Sequence, residues 1–312
     1  MTDTSTKNSA LLKTKLAHLE LDNPIMPASG CFGFGAEFDR LYDLDLLGAV
    51  ALKATTLETR AGNQTARVAE TEAGMLNAIG LQNPGLEKVL LEELALYQHK
   101  KTKVIMNVAG NGIEDYQQVV AKLCQHASVS GIELNVSCPN VKKGIMFGSD
   151  PKMLAELVKE VKPVTNNKLL IVKLSPNVTD IKVMAGAAIE AGAQALSLIN
   201  TLIGMRIDLK TRKPIIANKT GGLSGPAIKP VAIRMIYEVY REFPQIPIIG
   251  MGGISNLDDM LEFFMAGASA LAIGTANFVD PYICPQLITE LTEYMLKNNI
   301  KSLNQLIGAA HS

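Results

Sequence analysis

Residues 169–175 read "LLIVKLS", four strand-forming apolar residues followed by a lysine and then a polar turn. The run is too short for a helix and lacks the alternation of a sheet with one wet face. It therefore reads as a strand covered on both sides, as in parallel sheets. Seven other runs have the same character: "NPIMPAS" (23–29), "GAVALKA" (48–54), "KVIMNVA" (103–109), "IELNVS" (132–137), "ALSLIN" (195–200), "IPIIGMG" (246–252) and "ALAIGT" (270–275). Between them lie amphipathic stretches long enough for crossover helices, at 84–100, 150–163, 179–193, 255–268 and 284–299. Asp150 followed by Pro151 is a helix start, and "AGA" at 191–193 and 266–268 places glycine where helices end. A further helical pattern, "DYQQVVAKLCQH", surrounds Cys124.

Eight strands alternating with helices predict an α/β chain folded as one (β/α)8 TIM barrel over residues 1–312. A doubly wound sheet would need a phosphate-binding turn after its first strand, and "ASGCFGFG" (28–35) does not fit GxGxxG. Two long non-helical excursions, 55–83 and 201–226, follow strands and so belong to the C-terminal face, where barrels keep their chemistry.

With 30 basic and 30 acidic residues the chain has no excess charge for nucleic acid. Its 4 cysteines and 4 histidines show no ligand spacing, so neither a metal site nor a disulfide framework is expected. The polar N-terminus offers neither a signal segment nor a membrane span, which makes a reducing cytoplasm the default location.

At the barrel mouth the strand ends gather Lys53, Asn107, Asn135, Lys173, Asn200 and Thr201, with Asn77 from the long second loop and Cys138 and Asn140 just past the fourth strand. For any one amide, capping a turn is the commoner role. Capping explains less well why Asn135 and Lys173 lie inside apolar runs, since a buried lysine needs an anionic or polar partner. Five amides and two ammonium groups suit a small, flat, anionic ligand bearing carbonyl and N–H groups. Gly252–Gly253, Gly274–Thr275 and "TGGLSGP" (220–226) add glycine-rich loops whose backbone N–H groups suit a phosphate. Cys31, Cys124 and Cys284 read as small buried hydrophobes. Cys138 differs: it stands among Ser137, Pro139 and Asn140 with no histidine nearby in sequence, which suits a general base better than a Cys–His nucleophile.

The blocks "NPIMPASGCFGFG", "LKATT", "LNAIGLQNPG", "ELNVSCPNV", "VKLSPNVTDI", "TGGLSGPAIKP", "IIGMGGI" and "AIGTANF" closely resemble class 1 dihydroorotate dehydrogenases, in matching order over residues 21–278. Three blocks, at 28–35, 77–85 and 220–230, resemble the NAD-linked class 1B. The resemblance implies a cytoplasmic enzyme of pyrimidine biosynthesis that oxidises dihydroorotate to orotate with FMN. It also implies a homodimer core within a heterotetramer, with an electron-transfer subunit carrying FAD and a [2Fe–2S] cluster. It makes Cys138 the base at C5, and places Lys53, Asn77, Ile79, Gly80, Leu81, Asn135, Asn140, Asn200 and Thr201 around the substrate. Around FMN it places Ser29, Lys53, Ala54, Asn107, Asn135, Lys173, Ile199, Gly225, Gly252, Gly253, Gly274 and Thr275. The stretch 139–150 reads as a lid. Alternatives are a fumarate-linked class 1A enzyme, a flavin-free aldolase using Lys173, and a non-catalytic phosphate-ligand sensor.

Overall fold

The structure, a computed structural model, describes residues 11–137 and 147–311. Eight strands form one sheet: β1 (Ile25–Pro27), β2 (Ala49–Thr55), β3 (Lys103–Val108), β4 (Val129–Asn135), β5 (Leu169–Lys173), β6 (Ala195–Leu198), β7 (Ile248–Gly250) and β8 (Ala270–Ile273). The strand order is β1-β8-β7-β6-β5-β4-β3-β2 and every pairing is parallel. The Gly48 N–H closes the ring onto the Ile25 carbonyl at 3.0 Å. Only glycine fits at position 48, because a Cβ there would meet the Asn23 carbonyl oxygen at 1.8 Å. The expected eight-stranded barrel is therefore present, with each strand inside or close to its predicted run.

Strand periodicity sorts the side chains into two layers. Val50, Leu52, Val104, Met106, Ile132, Leu134, Leu170, Val172, Leu196 and Leu271 point outward into the larger core beneath the helices. Ala49, Ala51, Ile105, Leu169, Ile171, Ala195, Ile249, Ala270 and Ala272 fill the inside. A hairpin of Thr14–Leu16 and Leu19–Leu21 caps the N-terminal end, inserting Leu16 and Leu21 into that inner cluster. Thr14 Oγ1 ties the hairpin to the Ser269 carbonyl at 2.8 Å. Each of the two leucines contributes about 1.5–3 kcal/mol through burial.

Helix Pro151–Val161 starts as the sequence predicts: the Asp150 carboxylate accepts from the N–H groups of Lys152 and Met153, and Pro151 occupies the first turn. It buries Leu154, Leu157, Val158 and Val161 along one face. Gly192 and Gly267 close their helices with φ of +109° and +120°. The stretch predicted as one helix at 84–100 is instead a short helix, Leu86–Leu91, and a 3-10 turn, Glu93–Tyr97. Helix Lys229–Glu242 had no counterpart in the sequence reading. Its Pro230 suggests a loop, yet a proline in the first turn forfeits no helical hydrogen bond.

The two long excursions fold together over the mouth. Leu202–Gly204, Gly221–Ser224, Gly74–Asn77 and Val68–Thr71 form a four-stranded antiparallel sheet in that order. No helix among the described residues is long and apolar enough to cross a membrane.

Candidate active site

The alternation that fills the barrel with alanine and isoleucine carries polar residues at the same inward positions nearer the C-terminal ends. Above Ala51 comes Lys53, above Ile105 comes Asn107, above Ile171 comes Lys173 and above Ala195 comes Ser197. On β4 the inward residues are Gly131, Glu133 and Asn135. Adjacent strands pair Asn107 with Glu133, Asn135 with Lys173 and Ser197 with Lys173.

These residues make a buried polar cluster. Asn107 Nδ2 donates to Glu133 Oε1 at 2.6 Å and Ser197 Oγ donates to Glu133 Oε2 at 2.7 Å. Lys173 Nζ is 3.9 Å from Glu133 Oε1, with both side chains almost wholly buried. The sequence demanded a partner for the buried Lys173; within the protein it is Glu133. A carboxylate only accepts, so the Asn107 amide must turn its nitrogen toward Glu133. Its oxygen, Oδ1, is then a buried acceptor without a partner among the described residues.

Lys53 leans in from β2, and its main chain is held by its N–H donating to Gly33 O at 2.9 Å. Burial, reinforced by the nearby Arg67 charge, pulls its ammonium below the ordinary lysine range, while the Cys31 thiol works the other way. Cys31 itself does not behave as the sequence suggested. Lys173 and Lys53 are both close enough to act on its thiol, although burial wins and pushes it up to about 11. A Cβ on Gly274 would be 3.8 Å from Cys31 Sγ, so the cysteine lies beside the end of β8. Cys124 and Cys284 are buried, as expected.

The amides converge on the other side of the mouth. Asn200 Nδ2 approaches Asn135 Oδ1 at 3.4 Å, and Tyr116 Oη holds the Asn135 carbonyl at 2.7 Å. Thr201 N–H donates to Asn200 Oδ1 at 2.8 Å. Asn77 Nδ2 donates to Gly222 O at 3.3 Å, and a Cβ on Gly222 would meet Thr201 Oγ1 at 2.1 Å, so Asn77 and Thr201 flank one glycine. Asn83, which the sequence reading did not single out, anchors the segment holding Ile79, Gly80 and Leu81. Its Oδ1 accepts from the N–H groups of Thr56 and Gly85, and its Nδ2 donates to Thr56 Oγ1 and Leu81 O. Gly80 and Leu81 both have positive φ, +75° and +55°. Cys138 and Asn140 lie outside the described residues, as does most of the stretch read as a lid; described β4 ends at Asn135, three residues before Cys138.

The glycine loops meet beside the amides. A Cβ on Gly253 would be 2.8 Å from Gly225 O, and one on Gly252 would be 3.4 Å from Ile199 Cγ1. Thr275 Oγ1 and Ser224 Oγ are hydrogen-bonded at 2.9 Å, joining the end of β8 to the same loop. Ser29 Oγ donates to Leu52 O at 2.7 Å, next to Lys53 and the buried Ala54.

FMN fits these residues on three observations. At Gly225, Gly252 and Gly253, all with positive φ, a Cβ would meet Gly74, Ala232 and Gly225 O at 2.6, 3.1 and 2.8 Å, so these loops are held as bare backbone of the kind that binds phosphate. The buried Asn107 Oδ1 awaits an N–H donor. Among the described residues, the Lys173 ammonium has its ion pair with Glu133 but makes no hydrogen bond. Two surface clefts, about 580 Å³ around Lys159–Ala191 and about 480 Å³ beside the Thr14–Leu21 hairpin, gather no comparable set. No cluster of three or more His, Cys, Asp or Glu suited to a metal occurs among the described residues.

Comparison with known proteins gives the family. The family model described as dihydroorotate dehydrogenase matches residues 11–295. A Bacillus pumilus protein named dihydroorotate dehydrogenase B (NAD(+)), catalytic subunit, is 58% identical over 299 residues, 96% of each chain. Proteins of the same name from Shouchella clausii and Listeria monocytogenes serotype 4b are 55% and 60% identical, covering 96% and 95% of this chain and 98% and 97% of theirs.

Proposed function

The chain belongs to the dihydroorotate dehydrogenase family, and on that premise we propose that it is the catalytic subunit of the NAD-linked class 1B enzyme. It oxidises (S)-dihydroorotate to orotate in pyrimidine biosynthesis, with FMN as its resident cofactor. The observation that carries this reading is the mouth itself, where buried Lys173, half-buried Lys53 and an amide oxygen without a partner among the described residues gather with converging asparagines and glycine loops.

Bound FMN supplies a two-electron acceptor for the hydride leaving C6 of the substrate. Gly225, Gly252, Gly253, Gly274 and Thr275 hold its phosphate end. Ser29, Ala54, Asn107, Asn135, Ile199 and Lys173 hold the ring, with Lys173 contributing fixed positive charge. Asn77, Asn135, Asn140, Asn200 and Thr201 read the orotate edge by donating and accepting, and Lys53 balances the carboxylate. Ile79, Gly80 and Leu81 line the substrate side. Cys138 takes the C5 proton. Its thiolate form is the base, so activity rises with pH through the thiol's ionisation.

The relatives' printed names support NAD+ as the final acceptor over fumarate, and "catalytic subunit" supports a separate partner. That partner carries FAD and a [2Fe–2S] cluster, and the assembly is a homodimer core within a heterotetramer in the cytoplasm. The test is Cys138→Ala: the purified variant stays yellow and binds orotate, but its turnover falls by at least a hundredfold. Near-normal turnover would remove Cys138 as the base. Cys138→Ser retains a trace of activity with its pH optimum moved upward, because a hydroxyl ionises less readily.

A further inference from the structure

Glu133 is unassigned in the chemistry above, although it lies at the centre of the buried cluster. It is 2% exposed and both of its oxygens are used, by Asn107 Nδ2 at 2.6 Å from β3 and by Ser197 Oγ at 2.7 Å from β6. Those two short bonds come from neutral groups on opposite flanks, so they fix the carboxylate without neutralising it. The charge is balanced instead by Lys173, whose Nζ stays 3.9 Å away, within ion-pair range but beyond a hydrogen bond. A buried carboxylate this close offsets the cost of keeping an ammonium charged in a dry site. Making no hydrogen bond to Glu133 or to any other described group, the ammonium keeps its N–H donors for the mouth.

Asn107 is affected in the same way. Since Glu133 can only accept, it fixes the amide orientation and forces Oδ1 to be the free, buried acceptor. One carboxylate thus sets the direction of two neighbouring groups, a cationic donor and a neutral acceptor. We infer that Glu133 is a positioning residue for the flavin site, holding the Lys173 ammonium in place by a long ion pair and Asn107 in a single amide orientation while touching neither substrate nor cofactor. A purely structural carboxylate would need neither the long ion pair nor the orphaned acceptor beside it. The inference rests on the flavin reading for its catalytic consequence, but the coupling of Glu133 to Lys173 is independent of it.

The test is a double-variant cycle on the full chain, with Glu133→Gln, Lys173→Met and both together. Glu133→Gln keeps FMN but slows flavin reduction by dihydroorotate at least tenfold, with the dihydroorotate Kd changed less than twofold. Added to Lys173→Met, it slows reduction by less than twofold more. Glu133→Asp, which keeps the charge, recovers part of the lost rate. The readout free of the cofactor is urea unfolding of the FMN-stripped chains. Each single variant strands one buried charge, so the product of their effects on the unfolding constant exceeds the double variant's effect at least tenfold. Additive unfolding effects overturn the proposal, as does a Glu133→Gln variant that loses substrate affinity while reducing flavin at the normal rate. Wild-type protein without flavin sinks the functional reading instead, and the unfolding cycle still decides the coupling.

Discussion

Replacing Asn83 by alanine tests how the substrate-side loop is held. The Asn83 amide is 4% exposed and makes four hydrogen bonds, to Thr56 N at 3.2 Å, Gly85 N at 2.9 Å, Thr56 Oγ1 at 2.8 Å and Leu81 O at 2.8 Å. Thr56 Oγ1 also donates to Glu58 O, so it loses only an incoming bond. The two N–H groups are the serious loss, because buried donors without acceptors cost about 1–3 kcal/mol each. The expected destabilisation is therefore about 2–6 kcal/mol, at the upper end for a single substitution. Urea unfolding followed by far-UV circular dichroism reads it directly as a lower midpoint at unchanged slope. The loosened Ile79–Leu81 segment should also raise KM for dihydroorotate more than it lowers kcat. A midpoint for Asn83→Ala within about 0.5 kcal/mol of wild type would refute the accounting, since that is the range of an ordinary surface change.

Gly253→Ala should cost FMN affinity at least tenfold, because φ is +89° and the new Cβ would be 2.8 Å from Gly225 O and 2.9 Å from Lys229 Cβ; unchanged flavin retention on dialysis would contradict this. Asp259 anchors the same region, accepting from Lys229 Nζ at 2.7 Å and from Ser255 N and Oγ at 2.8 Å each. Burial works against its charge, but Lys229 and Ser255 outweigh it and hold the carboxyl below the usual range. Its folded pKa thus lies below the unfolded value of about 3.9, so its stabilisation is complete at neutral pH and is lost as pH falls through the folded value. Asp259→Asn should cost about 1–3 kcal/mol at pH 7, and the gap to wild type should close below about pH 4 in acid unfolding titrations. A gap independent of pH would show that charge is not what Asp259 contributes.

The barrel was legible because doubly buried strands write themselves as apolar runs, and "LLIVKLS" needs no distant information to be read. Lys173 was legible for the same reason, as a charge out of place in such a run. Its partner was not. Glu133 in "IELNVS" resembles a residue alternating toward water, and only closure of the sheet brings Asn107, Ser197 and Lys173 around it. Cys31 was misread similarly, since its two lysine neighbours come from β2 and β5. The sheet over the mouth joins segments more than 140 residues apart, with Asn77 opposite Gly222, and its strands are too short to show a period. Asn83 gave no signal in the sequence because three of its four hydrogen bonds are to backbone groups.

The most direct measurement is anaerobic addition of dihydroorotate to the purified chain while its visible spectrum is recorded. The account predicts a yellow protein with about one FMN per chain whose flavin band bleaches as orotate forms. A colourless preparation that cannot be loaded with FMN, or a flavin band that dihydroorotate leaves unchanged, would contradict it.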